Sequence, residues 1–209
     1  MSQGIISEET KNNLARLDKA GILKKFYLAG GTALALQLKH RLSLDLDFFT
    51  STNLDIKLLI QKLKNLGGFS IEKESEDTLI GEFRGTRIAF FRYDYPLLFP
   101  LKDFEGIKIA DVRDIGCMKI AAISSRGTKK DFIDLFFICQ EIMSLKEFLR
   151  LFMRKYKAVN YNMVHIFKSL IYFKDAELDP MPKMIAPVSW VRVKEFFREE
   201  IKNICDSFK

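Results

Sequence analysis

Asp45-Leu46-Asp47 sets two carboxylates at positions i and i+2. On an extended strand such positions face one side, and like charges held that close repel unless a cation lies between them. Mg²⁺ meets that need, because it takes hard oxygen ligands and is typically held by one or two carboxylates together with substrate phosphates. A solvent-facing acidic strand gives the same pattern, so the pair does not decide by itself. Upstream, Gly30-Gly31-Thr32 falls where a short apolar strand gives way to strong helix formers. Glycines let the backbone approach a phosphate, and the first turn of a helix offers N–H groups at the positive end of its dipole. The Thr32 hydroxyl adds a donor. A phosphate cradle and a metal-binding pair then stand one helix apart.

A second set of charges lies further along: Lys119, Arg126, Lys130, Asp131 and Asp134. On a continuous helix Lys119, Arg126 and Lys130 project from nearly one side, where they would neutralise triphosphate charge. Gly127 interrupts that register, and a solvated helix face with locally paired charges is the plainer alternative.

These two blocks carry a resemblance. The run Leu28-Ala29-Gly30-Gly31-Thr32-Ala33-Leu34-Ala35-Leu36, then His40-Arg41, Ser43 and Asp45-Leu46-Asp47-Phe48-Phe49, resembles the signature of the AbiEii/AbiGii toxin family. That family belongs to the DNA polymerase β-like minimal nucleotidyltransferase superfamily. Lys119, Ala122, Arg126, Lys130-Asp131 and Asp134 are similar to its downstream helical motif. The resemblance implies a metal-dependent transfer of a nucleotide from a nucleoside triphosphate to an acceptor, RNA and in particular tRNA among the candidates. It also implies a toxin with a cognate antitoxin. Asp45 and Asp47 would hold Mg²⁺ (or Mn²⁺). Gly30, Gly31, Thr32, His40, Arg41 and Arg126 would meet the nucleotide, and Lys119, Lys130 and Asp131 would act beside the two aspartates in catalysis. A non-catalytic nucleotide- or nucleic-acid-binding protein on the same fold is the alternative.

One departure stands out. Enzymes of the superfamily usually carry a third carboxylate on a neighbouring strand. Here Ala89 or Phe90 occupies the middle of that strand, Asp94 lies at its end and Glu82 on the strand before. The third ligand is one of these two acids or is absent.

Elements that would position these groups follow from periodicity and breakers. Ser7 starts a helix that Gly21 ends. A strand over 25–29 leads into the glycines, a helix over 33–39 follows, and a strand over 44–49 carries the aspartates. Thr52 or Asn53 caps a helix to Leu66, and strands at 69–73, 78–83 and 86–93 form a meander with a hairpin turn at Arg84-Gly85. A short strand follows at 106–110. Asp111 and Asp114 resemble a capping pair opening a helix to about Arg126. Further helices start at Thr128 and Ser144 and span 161–174 and 189–208. The fold class is α+β: a minimal nucleotidyltransferase core with a mixed β-sheet over 1–110, and a helical C-terminal portion over 111–209.

Composition sets the outer bounds. The chain has 209 residues, 48% hydrophobic and 29% charged, with nineteen phenylalanines, enough for a large aromatic core. A net charge of +7 favours anionic partners without choosing among them. Cys117, Cys139 and Cys205 have no metal-ligand spacing and read as small buried hydrophobes in a reducing compartment. Residues 1–9 lack a signal-peptide pattern, and no apolar stretch reaches the ~20 residues of a membrane span. The expectation is a cytoplasmic protein with no membrane partner. His165, Trp190, Phe196 and Phe197 read as helix-packing residues.

Overall fold

The computed structural model describes residues 4–159 and 161–206; residues 1–3, and 207–208 of the expected last helix, lie outside them. The chain divides into two compact units. The first comprises Met1–Gln37, Leu42–Pro96 and Pro100–Asp111, the second Leu38–Arg41, Leu97–Phe99 and Val112–Lys209.

The first unit is built on a mixed sheet. Helix α1 (Glu8–Lys19) is capped by the Ser7 side chain, which accepts from the Thr10 N–H. Strand β1 (Tyr27–Ala29) follows, preceded by a single 3₁₀ turn, and passes directly into helix α2 (Gly30–Leu38). Strand β2 (Leu46–Thr50), helix α3 (Ile56–Asn65) and strands β3 (Phe69–Ser75), β4 (Thr78–Phe83), β5 (Thr86–Arg92), β6 (Lys102–Phe104) and β7 (Ile107–Ile109) complete it. Seven strands, among the described residues, run in the order β3-β4-β5-β2-β1-β7-β6. β2 pairs antiparallel with β1 and parallel with β5, so it lies inside the sheet. Its alternating burial follows from that position: Leu46, Phe48 and Thr50 are buried, while Asp47 and Phe49 are half-buried on the other face. Phe48 stacks on Phe90, ring centroids 5.1 Å apart. Asn13 fastens α1 to the β4–β5 hairpin by donating to the Phe83 carbonyl and Thr86 Oγ1.

Several expected boundaries shift. The glycines open α2 rather than preceding it. β2 starts at Leu46, one residue after Asp45. The cap of α3 is Asp55, which accepts from the Leu58 N–H, not Thr52 or Asn53. Strand β6, three residues long and exposed along two of them, carries too few apolar positions to signal itself.

The second unit is helical: α4 (Val112–Ser125), α5 (Lys129–Glu141), α6 (Leu145–Lys155), α7 (Met163–Leu170), α8 (Lys174–Glu177) and α9 (Trp190–Asp206). Thr128 caps α5, Ser144 and Glu147 form a full capping box on α6, and Asn162 caps α7. α6 packs against α4 because position 116 is glycine: a Cβ there would lie 2.5 Å from the Phe148 ring. Trp190 and Phe197 meet Phe132 edge-on and Phe173 packs against it at a tilt. The segment expected as one helix over 161–174 breaks at Ile171 and resumes as the short α8.

Two short segments from the first half of the sequence are built into this unit. Asp114, expected as a capping partner of Asp111, instead turns its carboxylate to the N–H groups of Leu98 and Phe99, both at 3.0 Å, and to Lys155 Nζ at 2.7 Å. The His40 carbonyl accepts from the N–H groups of Ile185 and Ala186. Of the three cysteines, all free, Cys117 is buried and Cys139 partly so, but Cys205 is exposed, contrary to expectation. No helix among the described residues is long and apolar enough to cross a membrane.

Candidate active site

In the first unit the β1–α2 corner and β2 converge. Gly30 adopts φ +66°, the left-handed region that permits a strand to turn into a helix without a loop. It sits against Asp47: the Asp47 Cγ lies 3.2 Å from the place a Cβ on residue 30 would take, and Oδ2 lies closer still. The register explains the meeting, since Asp47 pairs with Ala29, the residue before the glycine. The first turn of α2 therefore begins beside a carboxylate, with N–H groups that have no partner within the helix.

Thr32 fixes the second aspartate. Its side chain is fully buried; the hydroxyl donates to the Asp45 carbonyl and lies 2.9 Å from Ser43 Oγ. Thr32 thus ties the start of α2 to the residue just before β2. Asp45 and Asp47 are both half-buried. The register across β2 and β5 sets Ala89, 1% exposed, directly beside Asp47. Asp94 is engaged by Arg92 at 2.9 Å. Glu82, on β4, stands opposite Arg87 of β5 in the ladder and so lies two strands from β2, or roughly 10 Å at the usual strand spacing. Among the described residues no group of three His, Cys, Asp or Glu is placed to hold one ion. The Asp47 carboxylate beside the helix start, with Asp45 two residues earlier and its backbone held by Thr32, is a donor set of the hard-oxygen kind that Mg²⁺ or Mn²⁺ takes.

The second block of charges forms a buried network in the helical unit. α4 ends at Ser125 and Gly127 turns at φ +53° before α5. Lys119, Arg126 and Lys130 therefore do not share the face of one helix. Asp134 is the hub: Arg41 Nε and Nη2 reach its two oxygens at 2.6 and 2.8 Å, His40 Nε2 lies at 2.8 Å and Lys119 Nζ at 2.6 Å. Lys119 also meets Asp131 at 2.9 Å, where Arg126 Nε at 3.0 Å and the Thr128 hydroxyl at 2.7 Å converge. Burial alone would push both carboxyls up. Lys119 and Arg41 nevertheless hold Asp134 well below the usual carboxylate range, and Lys119 with Arg126 brings Asp131 to about 2. The same burial would lower Lys119, and Asp131 and Asp134 more than reverse it. His40 is completely buried, its Nδ1 without a hydrogen-bond partner and its ring against Phe137.

Comparison with known proteins shows the family and the fold. The family model described as "Nucleotidyl transferase AbiEii toxin, Type IV TA system" matches residues 13–204. The chain belongs to that family. It is a nucleotidyltransferase toxin family of a type IV toxin–antitoxin system, which implies a nucleoside triphosphate substrate and an antitoxin partner. An uncharacterized protein of Aquifex aeolicus (strain VF5), aq_aa25, is 39% identical over 207 residues, covering 97% of this chain and 98% of its own. Among solved structures, the nucleotidyltransferase toxin MenT4 of Mycobacterium tuberculosis H37Rv superposes with a TM-score of 0.58 at 14% identity, over 96% of this chain and 86% of that one. JHP933 of Helicobacter pylori gives 0.55 at 18% identity, over 97% and 94%. The α+β fold expected from the sequence is thus the fold of nucleotidyltransferases, and the resemblance read from the motifs holds.

Within the AbiEii family frame, the site residues expected from sequence divide into three groups. Gly30, Gly31, Thr32, Asp45 and Asp47 come together in the first unit. His40, Arg41, Lys119 and Asp131 are buried in ion pairs of the helical unit. Arg126 is exposed over 65% of its side chain while engaged by Asp131, and Lys130 is exposed with no ion pair among the described residues. Asp134 and Ser43 were outside the expected set. The Lys130-Asp131-x-x-Asp134 spacing, which sets both acids on one helix face, is the signal that points to Asp134.

Proposed function

We propose that this toxin transfers a nucleotide from a nucleoside triphosphate to an RNA acceptor, tRNA in particular, with Mg²⁺ (or Mn²⁺) held by Asp45 and Asp47. The observation that carries this reading is the contact between the Gly30 corner and the Asp47 carboxylate, with Asp45 tied to the same helix start by Thr32. Amides of Gly30, Gly31 and the first turn of α2 bind the β- and γ-phosphates. A divalent ion bound at the two aspartates supplies positive charge against the triphosphate oxygens. The acceptor hydroxyl oxygen bonds to the α-phosphorus, pyrophosphate leaves, and Asp47 or another carboxylate takes the hydroxyl proton. Thr32 acts through Asp45, as a positioning residue. In the helical unit Lys119 and Asp131 hold one another, and Arg126 and Lys130 offer charge to the anionic substrate. His40 and Arg41 serve by anchoring their segment on Asp134. The catalytic core lies within residues 1–110 and the helical portion is 111–209 together with Leu38–Arg41 and Leu97–Phe99, and the reaction is assigned to the cytoplasm.

The test is incubation with total tRNA and each α-labelled triphosphate, with and without a chelator. Label is expected in RNA, abolished by chelation and by Asp45→Asn or Asp47→Asn. Ala89, in the place beside Asp47 where a third carboxylate would stand, favours a second reading: a nucleotide-binding protein without turnover. That reading predicts triphosphate binding with no label transferred.

A further inference from the structure

The helical unit carries a second site of a different kind. A cleft of about 300 Å³ opens between the end of α4, the turn at Arg126-Gly127, and α7 with the residues after it. That volume is at the lower end of small-ligand sites. Two cations, Arg126 and Lys168, line it together with His165 and the hydroxyl-bearing Ser124, Ser125 and Tyr172. Lys168 is exposed and makes no ion pair among the described residues. Tyr172, 53% exposed, presents an aromatic ring that its own unit leaves partly uncovered.

The end of a helix normally repels anions, because its last carbonyls carry partial negative charge. Here the Ala122 and Ser124 carbonyls, and Ala121 one position earlier, are engaged. Ser124 Oγ donates to Ala121 O, Ser125 Oγ to Ala122 O, and His165 Nε2 lies 3.2 Å from Ser124 O. Arg126 and Gly127 N–H groups also donate to Ala122 O. The field is set instead by Lys168 and by Arg126, whose charge is shared with Asp131, and is opposed by Asp175 on the wall. The sequence from 112 onward holds eighteen Lys and Arg against twelve Asp and Glu, so this half carries nearly all of the chain's net +7.

We propose that this cleft binds one nucleotide of a single-stranded nucleic acid, a backbone phosphate against Lys168 and Arg126 and a base stacked on Tyr172. The proposal rests on the reading that the acceptor is a nucleic acid, and it places part of that acceptor at a site formed within the helical unit alone. Cation plus exposed aromatic is the combination that single-strand binders use, phosphate for affinity and ring for stacking. An acidic peptide would use the cations but gain little from the ring.

The test uses the full chain and short unstructured RNA and DNA oligonucleotides, followed by fluorescence anisotropy across a salt series. The wild type is expected to retain at least one of the two. Tyr172→Ala should weaken that binding roughly tenfold and Tyr172→Phe should restore it. Lys168→Ala should lessen the steepness of the log K against log salt plot by about one unit, and Asp175→Asn should tighten binding. Retention of neither oligonucleotide, capture of an acidic peptide only, or a Tyr172→Ala protein that binds like the wild type overturns the proposal. Calorimetric titration of the wild type with triphosphate and Mg²⁺ reports on the first site separately. Triphosphate binding without oligonucleotide binding sinks this inference alone, and the reverse sinks the nucleotidyltransferase assignment of the first site.

Discussion

The carboxylate of Asp47 occupies the space in which any side chain on residue 30 would begin. The two residues come from consecutive strand ends, and the ladder between β1 and β2 brings them together through the Ala29–Asp47 pair. A glycine is required there twice over: by the left-handed φ of +66°, and by the nearness of the acid it faces.

Gly30→Ala should therefore separate activity from stability. The left-handed backbone costs about 1–2 kcal/mol with a Cβ present, a tolerable loss for a domain of this size. The Asp47 carboxylate, however, must move by a sizeable fraction of an ångström or more. Displacements of about 1 Å in a reacting group cost on the order of a hundredfold in rate. Nucleotide incorporation should fall about that far while the thermal midpoint drops by only a few degrees. Equal activity in the variant would show that Asp47 does not act at that corner.

Thr32 gives a finer version of the same experiment. Thr32→Ser keeps the hydroxyl that meets the Asp45 carbonyl, while Thr32→Val keeps the shape and removes it. Valine leaves a buried carbonyl without its donor, a loss of about 1–3 kcal/mol. It also releases the residue that carries Asp45. Incorporation by the Ser variant should stay near wild type and that of the Val variant should fall. A Val variant with full activity would reduce Thr32 to simple packing.

Much of this site was legible in the residues themselves. Glycines at a strand end and acids at alternate positions are local patterns, and the structure sets Gly30 beside Asp47 as those patterns require. Boundaries were less legible. Asp45 falls before β2 because strand pairing starts at Leu46, which is fixed by Ile88 on another strand rather than by anything nearby in sequence. The helical block misled more. Lys119, Arg126 and Lys130 fit one face of a continuous helix on paper. The Gly127 turn divides that helix, and the buried partners His40 and Arg41 come from more than ninety positions away from Asp134. Long-range pairing of charges leaves no periodic trace in a single sequence. Asp114 illustrates the same limit: its spacing from Asp111 mimics a cap, and its real partners are Leu98, Phe99 and Lys155.

Asp134→Asn should be among the most damaging single changes in the helical unit. It removes a charge met by Arg41, Lys119 and His40, all nine-tenths or more buried. Breaking one partner of a buried ion pair costs about 3–5 kcal/mol, because the cations left behind are desolvated and uncompensated. Urea denaturation should show a lower midpoint with an unchanged slope. Double substitution with Lys119→Met should recover part of the loss, since it removes one stranded cation. If the double variant is no better than the single, Asp134 and Lys119 are not coupled as their 2.6 Å contact requires.

Acid should unfold this protein partly through the same network. Asp131 has its pKa lowered to about 2 in the folded state, against an ordinary value of 3.8. A depressed carboxyl binds protons less readily folded than unfolded, so its stabilisation is complete above the unfolded pKa. It is lost as pH falls from about 4 toward 2. The shift corresponds to roughly 2 kcal/mol. Lys119 behaves in the opposite sense: its raised pKa supplies stability that persists up to its ordinary value of 10.5 and fades only above it. Between those limits the contribution of Asp131 and Lys119 is flat. The stability difference between wild type and Asp131→Asn, measured by urea denaturation, should hence be constant from about pH 5 to 9 and shrink steadily below pH 4. A difference that stays constant down to pH 2 would mean that Asp131 is not the charged partner of Lys119 and Arg126 in the folded protein.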